Sequence, residues 1–291
     1  AGSSHATSPT ESAPSATTAN QRRRRITWKA SQTVSLPPAL APLVDSAPNA
    51  LLVLDFDGTI SHIVDHPDDA VAIEGTVDVL IELTQSLRVA FITGRPVEWL
   101  IARLSPCAER GVEFIGLHGH ERLRDGVIVP HRDSAPWRDV IDEIHARVIA
   151  TAPPEVIAEP KGLGLALHFR NSPSAEEWIR AFTARVADET GLVAHDTRYA
   201  VELRPPVDLD KGHAMDELLA EHNPAAVAFF GDDLVDLPAV LAMRAHPSVV
   251  SAAFYVDSHE GPAQMREAAD VVLRSPIEAV DVLRALRDAL V

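Results

Sequence analysis

The segment Leu51-Leu-Val-Leu54 runs directly into Asp55-Phe-Asp57-Gly58-Thr59, and this junction constrains the fold more than any other feature. An unbroken run of large aliphatic residues suits a strand buried on both faces, as in a parallel sheet covered by helices on each side. The aspartates would then stand at the carboxyl end of that strand, where open α/β sheets gather their ligands. Carboxylates one residue apart repel each other unless a cation lies beside them. Gly58 permits a sharp turn, and Thr59 offers a hydroxyl and an amide to an anion.

Apolar runs alternate with helical patterns on both sides of a distinct middle. Residues 76–85 have helical spacing, Val89–Ile92 reads as a strand, Pro96–Leu104 as a helix opened by proline, and Phe114–Ile115 as a strand. The rhythm returns with a helix over Lys211–Glu221, a strand over Val227–Phe230 and a helix near Val235–Ala242. Strands follow around Val249–Tyr255 and Val271–Leu273. Ser275-Pro-Ile-Glu278 is a capping box, followed by Val280, Leu283, Leu286 and Leu290 at the spacing of one helix face. This alternation predicts an α/β fold with a doubly wound parallel sheet. Between them, residues 122–205 read as paired short strands with two helices, Trp137–Ile149 and Ala175–Glu189. The expected organisation is a core over 49–121 and 206–291 with an inserted α+β cap over 122–205.

Residues 1–48 are expected to be a disordered tail, since the first thirty are rich in Ser, Thr, Ala and Pro with few large apolar side chains. Arg22–Arg25 is a short basic run, read as solvated tail. The chain has a formal charge of −16; five basic residues against Glu11 and Asp45 make the tail positive, leaving −19 on the rest (21 basic, 40 acidic). A body this acidic repels nucleic acid and anionic membranes. Any phosphate-bearing ligand therefore needs a local cluster of positive groups or a metal. Cys107 is the single cysteine, expected to be a buried spectator. No stretch has the ~18 apolar residues of a membrane span, and the amino terminus lacks the apolar core of a signal peptide. The expected setting is cytoplasmic, with a small-molecule partner and an oligomeric state that the sequence does not show.

Three more strand ends carry chemistry. Ile92-Thr93-Gly94-Arg95 offers a hydroxyl and amides for phosphate oxygens. Lys211-Gly212 opens a helix, where ammonium and helix dipole both favour an anion. Phe230-Gly-Asp232-Asp233 returns two carboxylates, suited to a hard cation such as Mg²⁺. Together, DFDGT, ITGR, DKG and GDD resemble the haloacid-dehalogenase (HAD) superfamily of phosphotransferases. The resemblance implies that Asp55 attacks phosphorus, that Asp57 serves as general acid and then base, and that Thr93 and Lys211 hold the transferring group, with Gly58, Thr59, Gly94 and Arg95 on the phosphate. It also implies Mg²⁺ on the Asp55 carboxylate, the Asp57 carbonyl and Asp232, with Asp233 and Asp236 completing the outer shell.

The middle segment narrows the resemblance to the trehalose-6-phosphate phosphatase family, through Leu117-His-Gly-His-Glu121, Glu159-Pro-Lys161 with Arg170, and Arg198-Tyr-Ala-Val-Glu202-Leu-Arg-Pro. This implies a hydrolase of trehalose biosynthesis whose cap binds the sugar through Glu159, Lys161, Arg170, Arg198 and Glu202. His118 and Glu121, at the core–cap junction, either touch substrate or cap a turn. Leu234-Val235-Asp236-Leu237 departs from the family's usual x-Thr-Asp-Glu, replacing a hydroxyl and a carboxylate near the metal loop by aliphatic groups. Two other readings stay open: a phosphatase for a sucrose-, mannosyl- or glucosyl-type phosphate, and a weakly active relative that regulates by binding sugar phosphate.

Overall fold

The computed structural model describes Gly2 and residues 34–291 apart from Asp65, Arg198, His259 and Glu260. Ala1–Thr33 is a unit apart from Val34–Val291. The expected tail as far as Thr33, Arg22–Arg25 included, therefore lies outside the described residues, save Gly2.

Five consecutive buried positions make β1 (Ala50–Leu54) the centre of the large sheet. It pairs in parallel with β2 (Arg88–Ile92) on one side and β10 (Ala226–Gly231) on the other. Beyond β2 lies β3 (Glu113–Gly116), parallel; beyond β10 lie β11 (Val250–Val256) and β12 (Val271–Leu273), also parallel. The chain moves outward one way through β2 and β3, then returns to β10 and moves outward the other way. The reversal falls between β1 and β10, the point where such sheets leave a crevice for ligands.

Side chains alternate between two apolar layers. Leu52, Leu54 and Phe91 pack with α2 (Thr76–Leu83), α3 (Val97–Glu109) and α9 (Pro276–Leu290), whereas Leu51, Val53 and Phe229 pack with α6 (Lys211–His222) and α7 (Leu237–Ala245). Cys107 is buried on α3, its thiol pushed up to about 11 by desolvation and then by Asp78.

The structure differs from the sequence reading at two boundaries. Residues 34–48 belong to the fold: α1 (Ala41–Ser46) and the turn before it bury Leu40 and Leu43 completely in the layer of Leu52 and Phe91. This proline-containing segment is too short to display a helical period. The second difference concerns the cap. β4 (Glu121–Arg124) runs antiparallel to β3, and β5 (Val127–Pro130) runs antiparallel to β4; together they extend the large sheet to eight strands.

The smaller layer thus starts with α4 (Trp137–Thr151), not at 122. Its strands β6 (Ile157–Lys161), β7 (Gly164–His168), β9 (Ala200–Arg204) and β8 (Val193–Thr197) form an antiparallel sheet in that spatial order. Leu165, Leu167, Val201 and Leu203 face α4 and α5 (Glu176–Thr190), sealing a separate apolar cluster with Ile144 and Phe182. No described helix is long and apolar enough to cross a membrane.

Candidate active site

Asp55 leaves the carboxyl end of β1, and its amide donates to Phe230 O across the switch point (2.9 Å). Asp232 leaves β10 beside it. The approach is so close that a Cβ on Gly58 would overlap the Asp232 carboxylate, and Gly58 also has a φ of 69°. Only glycine satisfies both demands. Lys211, first residue of α6, has its helix capped by Asp210, which accepts from the Gly212 and His213 amides (2.9 and 3.1 Å). The start of the helix thereby aims a buried ammonium between β1 and β10.

Lys211 Nζ lies 2.9 Å from Asp55 Oδ1 and 2.5 Å from Asp236 Oδ1, and it is 1% exposed. Asp236 is wholly buried; its Oδ2 accepts from the Asp232 and Asp233 amides (2.9 and 3.1 Å). One carboxylate therefore fixes both the lysine and the loop after β10. Asp55, Asp232 and Asp236 each place an oxygen within 4.8 Å of the others. Three carboxylates around one ammonium leave an uncompensated negative charge.

Burial expresses this charge as displaced titration. Desolvation pushes Asp55 up to about 7 against the pull of Lys211, and desolvation together with Asp55 and Asp236 pushes Asp232 up to about 8. Lys211 is held above its ordinary value: burial opposes its charge, but Asp236 and Asp55 outweigh it. Asp55 Oδ1, though beside the lysine, makes no aligned hydrogen bond. An oxygen set short of one cation fits a hard divalent ion of the Mg²⁺ type. A second cluster, of Glu113, Glu221 and His222, lacks this deficit because Arg122 and Arg124 reach into it.

Other expected residues have other partners. The Asp57 carboxylate lies outside the trio and is gripped by Arg95, with Nε on Oδ2 (2.6 Å) and Nη2 on Oδ1 (2.7 Å). Asp233 turns away to cap its own turn, accepting from the Leu234 amide (2.6 Å). Thr59 is fully buried with its hydroxyl unpartnered, and buried Thr93 accepts from the Arg95 amide (3.3 Å). Glu121 takes the capping alternative of its two expected roles. Its Oε1 accepts from the Val97 amide at the start of α3 (2.7 Å) and its Oε2 faces Arg138, so it caps a helix.

A cavity of about 430 Å³ separates the large sheet from the cap. Gly94 and His118 line it from below; Lys161, Gly164, His195, Glu202 and Arg204 line it from the cap. A Cβ on Gly94 would meet the His118 ring, which desolvation, aided by Lys211 and Arg204, pushes down to about 4 and keeps neutral. Register explains the cap's contribution: Glu159, Ala166, Glu202 and His195 stand in one row across β6, β7, β9 and β8, on the side opposite its apolar cluster. Glu202 is held ionised below its ordinary value, against desolvation, by Arg204 (2.7 Å) and Lys161.

Glu159 shares the row but is engaged by His168 (2.8 Å) and Lys161 (3.5 Å). Arg170 lies over Tyr199, 5.5 Å from its ring centroid, away from the cavity lining. Arg198 lies outside the described residues. His195 and Asp208 line the cavity from outside the segments singled out in the sequence, and His120 and Arg204 line it from within them without having been assigned a role. Arg204 had a legible signal, because two residues beyond Glu202 on a strand is the same face. A larger groove, about 560 Å³ between α2 and α9, is distant from all of these groups.

Residues 53–273 match the model of the trehalose-phosphatase family. A trehalose-phosphate phosphatase from Mycolicibacterium paratuberculosis is 31% identical over 245 residues, covering 81% of this chain and 61% of the relative. The chain thus spans about three-fifths of that relative's length. Among solved structures, a trehalose-6-phosphate phosphatase related protein superposes with a TM-score of 0.61 (23% identity, 82% of this chain, 97% of the other). Trehalose-6-phosphate phosphatase from Aspergillus fumigatus gives 0.60 (19% identity, 89% and 100%). The fold they share is HAD-like.

Proposed function

The chain belongs to the trehalose-phosphatase family, and from that premise we propose that it hydrolyses trehalose 6-phosphate to trehalose and phosphate, with Mg²⁺, through an aspartyl-phosphate on Asp55. The observation that carries this reading is the buried Asp55–Lys211–Asp236 array beside Asp232. It presents a carboxylate nucleophile, a fixed ammonium and a cation-deficient oxygen set at the sheet's switch point. Asp55, Asp232 and the Asp57 carbonyl would hold the ion, which would neutralise charge on the transferring phosphoryl oxygens.

An oxygen of Asp55 attacks phosphorus as the bond to the sugar oxygen breaks, and Asp57 donates the proton that the departing sugar oxygen needs. Asp57 then takes a proton from water as that water attacks phosphorus, freeing Asp55 and releasing phosphate. Lys211 stays charged throughout and offsets negative charge near the attacking oxygen. The aliphatic Val235 does not undermine this arrangement, since it is exposed and the loop is held by other side chains, Asp236 through three hydrogen bonds and Asp233 through one. Thr59 and Thr93 present hydroxyls to the phosphate, while the Lys161–Glu202–Arg204 face, with His118 and His195, offers the donors and acceptors a disaccharide requires.

Phosphate release should be measured on trehalose 6-phosphate, sucrose 6-phosphate, glucose 6-phosphate and an aryl phosphate, with Mg²⁺ and with chelator. The reading expects the trehalose ester to be preferred, Mg²⁺ to be required, and Asp55→Asn to fall to background while remaining folded. Glu202→Ala and Lys161→Ala should lose kcat/KM on the disaccharide, by about 1–3 kcal/mol of barrier each, and little on the aryl ester. A retained rate in Asp55→Asn would overturn the mechanism; equal rates across the sugars would overturn the substrate.

A further inference from the structure

The bidentate contact between Arg95 and Asp57 is at odds with a simple division of labour in which one binds phosphate and the other moves protons. Both carboxylate oxygens of Asp57 are occupied by a single guanidinium. An oxygen accepting an N–H from Arg95 presents no proton to a departing sugar oxygen. Arg95, meanwhile, is fixed from behind. Its guanidinium carbon lies 4.3 Å from the Trp99 ring centroid, and Trp99 stands edge-on to Phe56, the residue between the two aspartates, at 5.0 Å. Trp99 Nε1 donates to Asp68 Oδ1 (3.3 Å), and Arg103, 3.8 Å from the same ring, donates to Asp68 O (2.9 Å).

We infer that Arg95 is a positioning residue that parks Asp57 until a phosphate group claims the guanidinium. The inference rests on the reading of Asp57 as proton donor. Carboxylate and phosphate present the same paired oxygens to an arginine fork, so they compete for it. Arg95 is backed by the Trp99 platform, whereas Asp57 is 30% exposed at its side chain and Arg95 is the partner its carboxylate has among the described residues. The mobile member of the pair is therefore Asp57. An incoming phosphate ester takes the fork where it stands, and Asp57 is released to swing toward the sugar oxygen. Free water and phosphate-free sugars would leave the acid parked.

The test is a double-mutant cycle read by binding of inorganic phosphate to the Mg²⁺-loaded protein, with Arg95→Gln, Asp57→Asn and the double variant. In the wild type phosphate must displace Asp57, so Arg95 contributes little net affinity. In Asp57→Asn the fork is already free. Arg95→Gln should therefore weaken phosphate binding about tenfold more in the Asp57→Asn background than in the wild type. An equal weakening in both backgrounds overturns the inference, because Arg95 would then bind phosphate independently of Asp57. Arg95→Lys, which keeps the charge and loses the fork, gives the same comparison should the Gln variant not fold. The underlying reading fails separately: Asp57→Asn hydrolysing trehalose 6-phosphate at the wild-type rate would remove Asp57 as the acid, whatever the phosphate cycle shows.

Discussion

Asp232→Asn should make the metal-free protein more stable. The substitution removes one charge from a site where three carboxylates surround one ammonium. Desolvation first, then Asp55 and Asp236, move the Asp232 carboxyl from 3.8 to about 8. Near pH 7 the unfolded chain ionises this group freely, while the metal-free fold either keeps a proton or accepts an uncompensated charge. The interval from the unfolded value to pH 7 is about three units at about 1.4 kcal/mol each. The destabilisation is about 2–4 kcal/mol, the lower figure allowing for solvent at this partly exposed carboxylate. Because the folded value lies above the unfolded one, the handicap is absent below about pH 4 and grows as pH rises toward 8. Thermal melts in chelator should place the Asn variant roughly 5–15 °C above wild type near neutrality, with the gap closing in acid. Millimolar Mg²⁺ should then raise the wild type more than the variant. A variant that melts at or below the wild type in chelator, at every pH, would refute the charge-deficit argument and with it the cation site.

Leu43→Ala should lower stability by about 2–5 kcal/mol in urea titration, as a fully buried side chain on α1; an unchanged midpoint would mean that this segment is not packed. Glu121→Ala should lower stability by about 1–3 kcal/mol by stranding the α3 amide, and full stability with a raised KM would return Glu121 to the substrate. Glu221 is held down at about 2, first by its hydrogen bond to Arg124 and then by Arg122 despite some desolvation. Its folded value lies below the unfolded one, so its contribution is present above about pH 4.5 and lost as pH falls toward 2. Glu221→Gln should therefore melt lower than wild type at neutral pH, and the difference should vanish in strong acid and shrink in salt.

The sequence showed most of the large sheet because buried parallel strands are unbroken apolar runs, as in β1 and β10. It did not show where the cap begins, since β4 and β5 are a short hairpin with Arg at alternate positions of one strand and Val at alternate positions of the other, and nothing local says which sheet they extend. Residues 38–46 were missed because a three-residue turn followed by a six-residue helix, each with a proline, is too short to carry a period. At the site, Asp55, Lys211 and Asp232 were legible as strand-end and helix-start residues that the topology converges, and Asp236 only through the family resemblance. Three-dimensional partnership was not legible. Arg95 has a carboxylate as neighbour, and Glu121 a helix amide. Neither fact follows from spacing, because each partner comes from a loop or strand more than twenty residues distant.

The cap's row of Glu159, Ala166, Glu202 and His195 stands on the side of its sheet away from Leu165, Leu167, Val201 and Leu203, and the cap's apolar cluster has no member in common with the two layers of the large sheet. In evolutionary terms this separates what the molecule can vary from what it must keep. Exchanges along the row neither open a hole in the cap's interior nor disturb the buried array around Asp55. Substitution along the row should therefore alter what the cap presents to the cavity while leaving both apolar interiors in place.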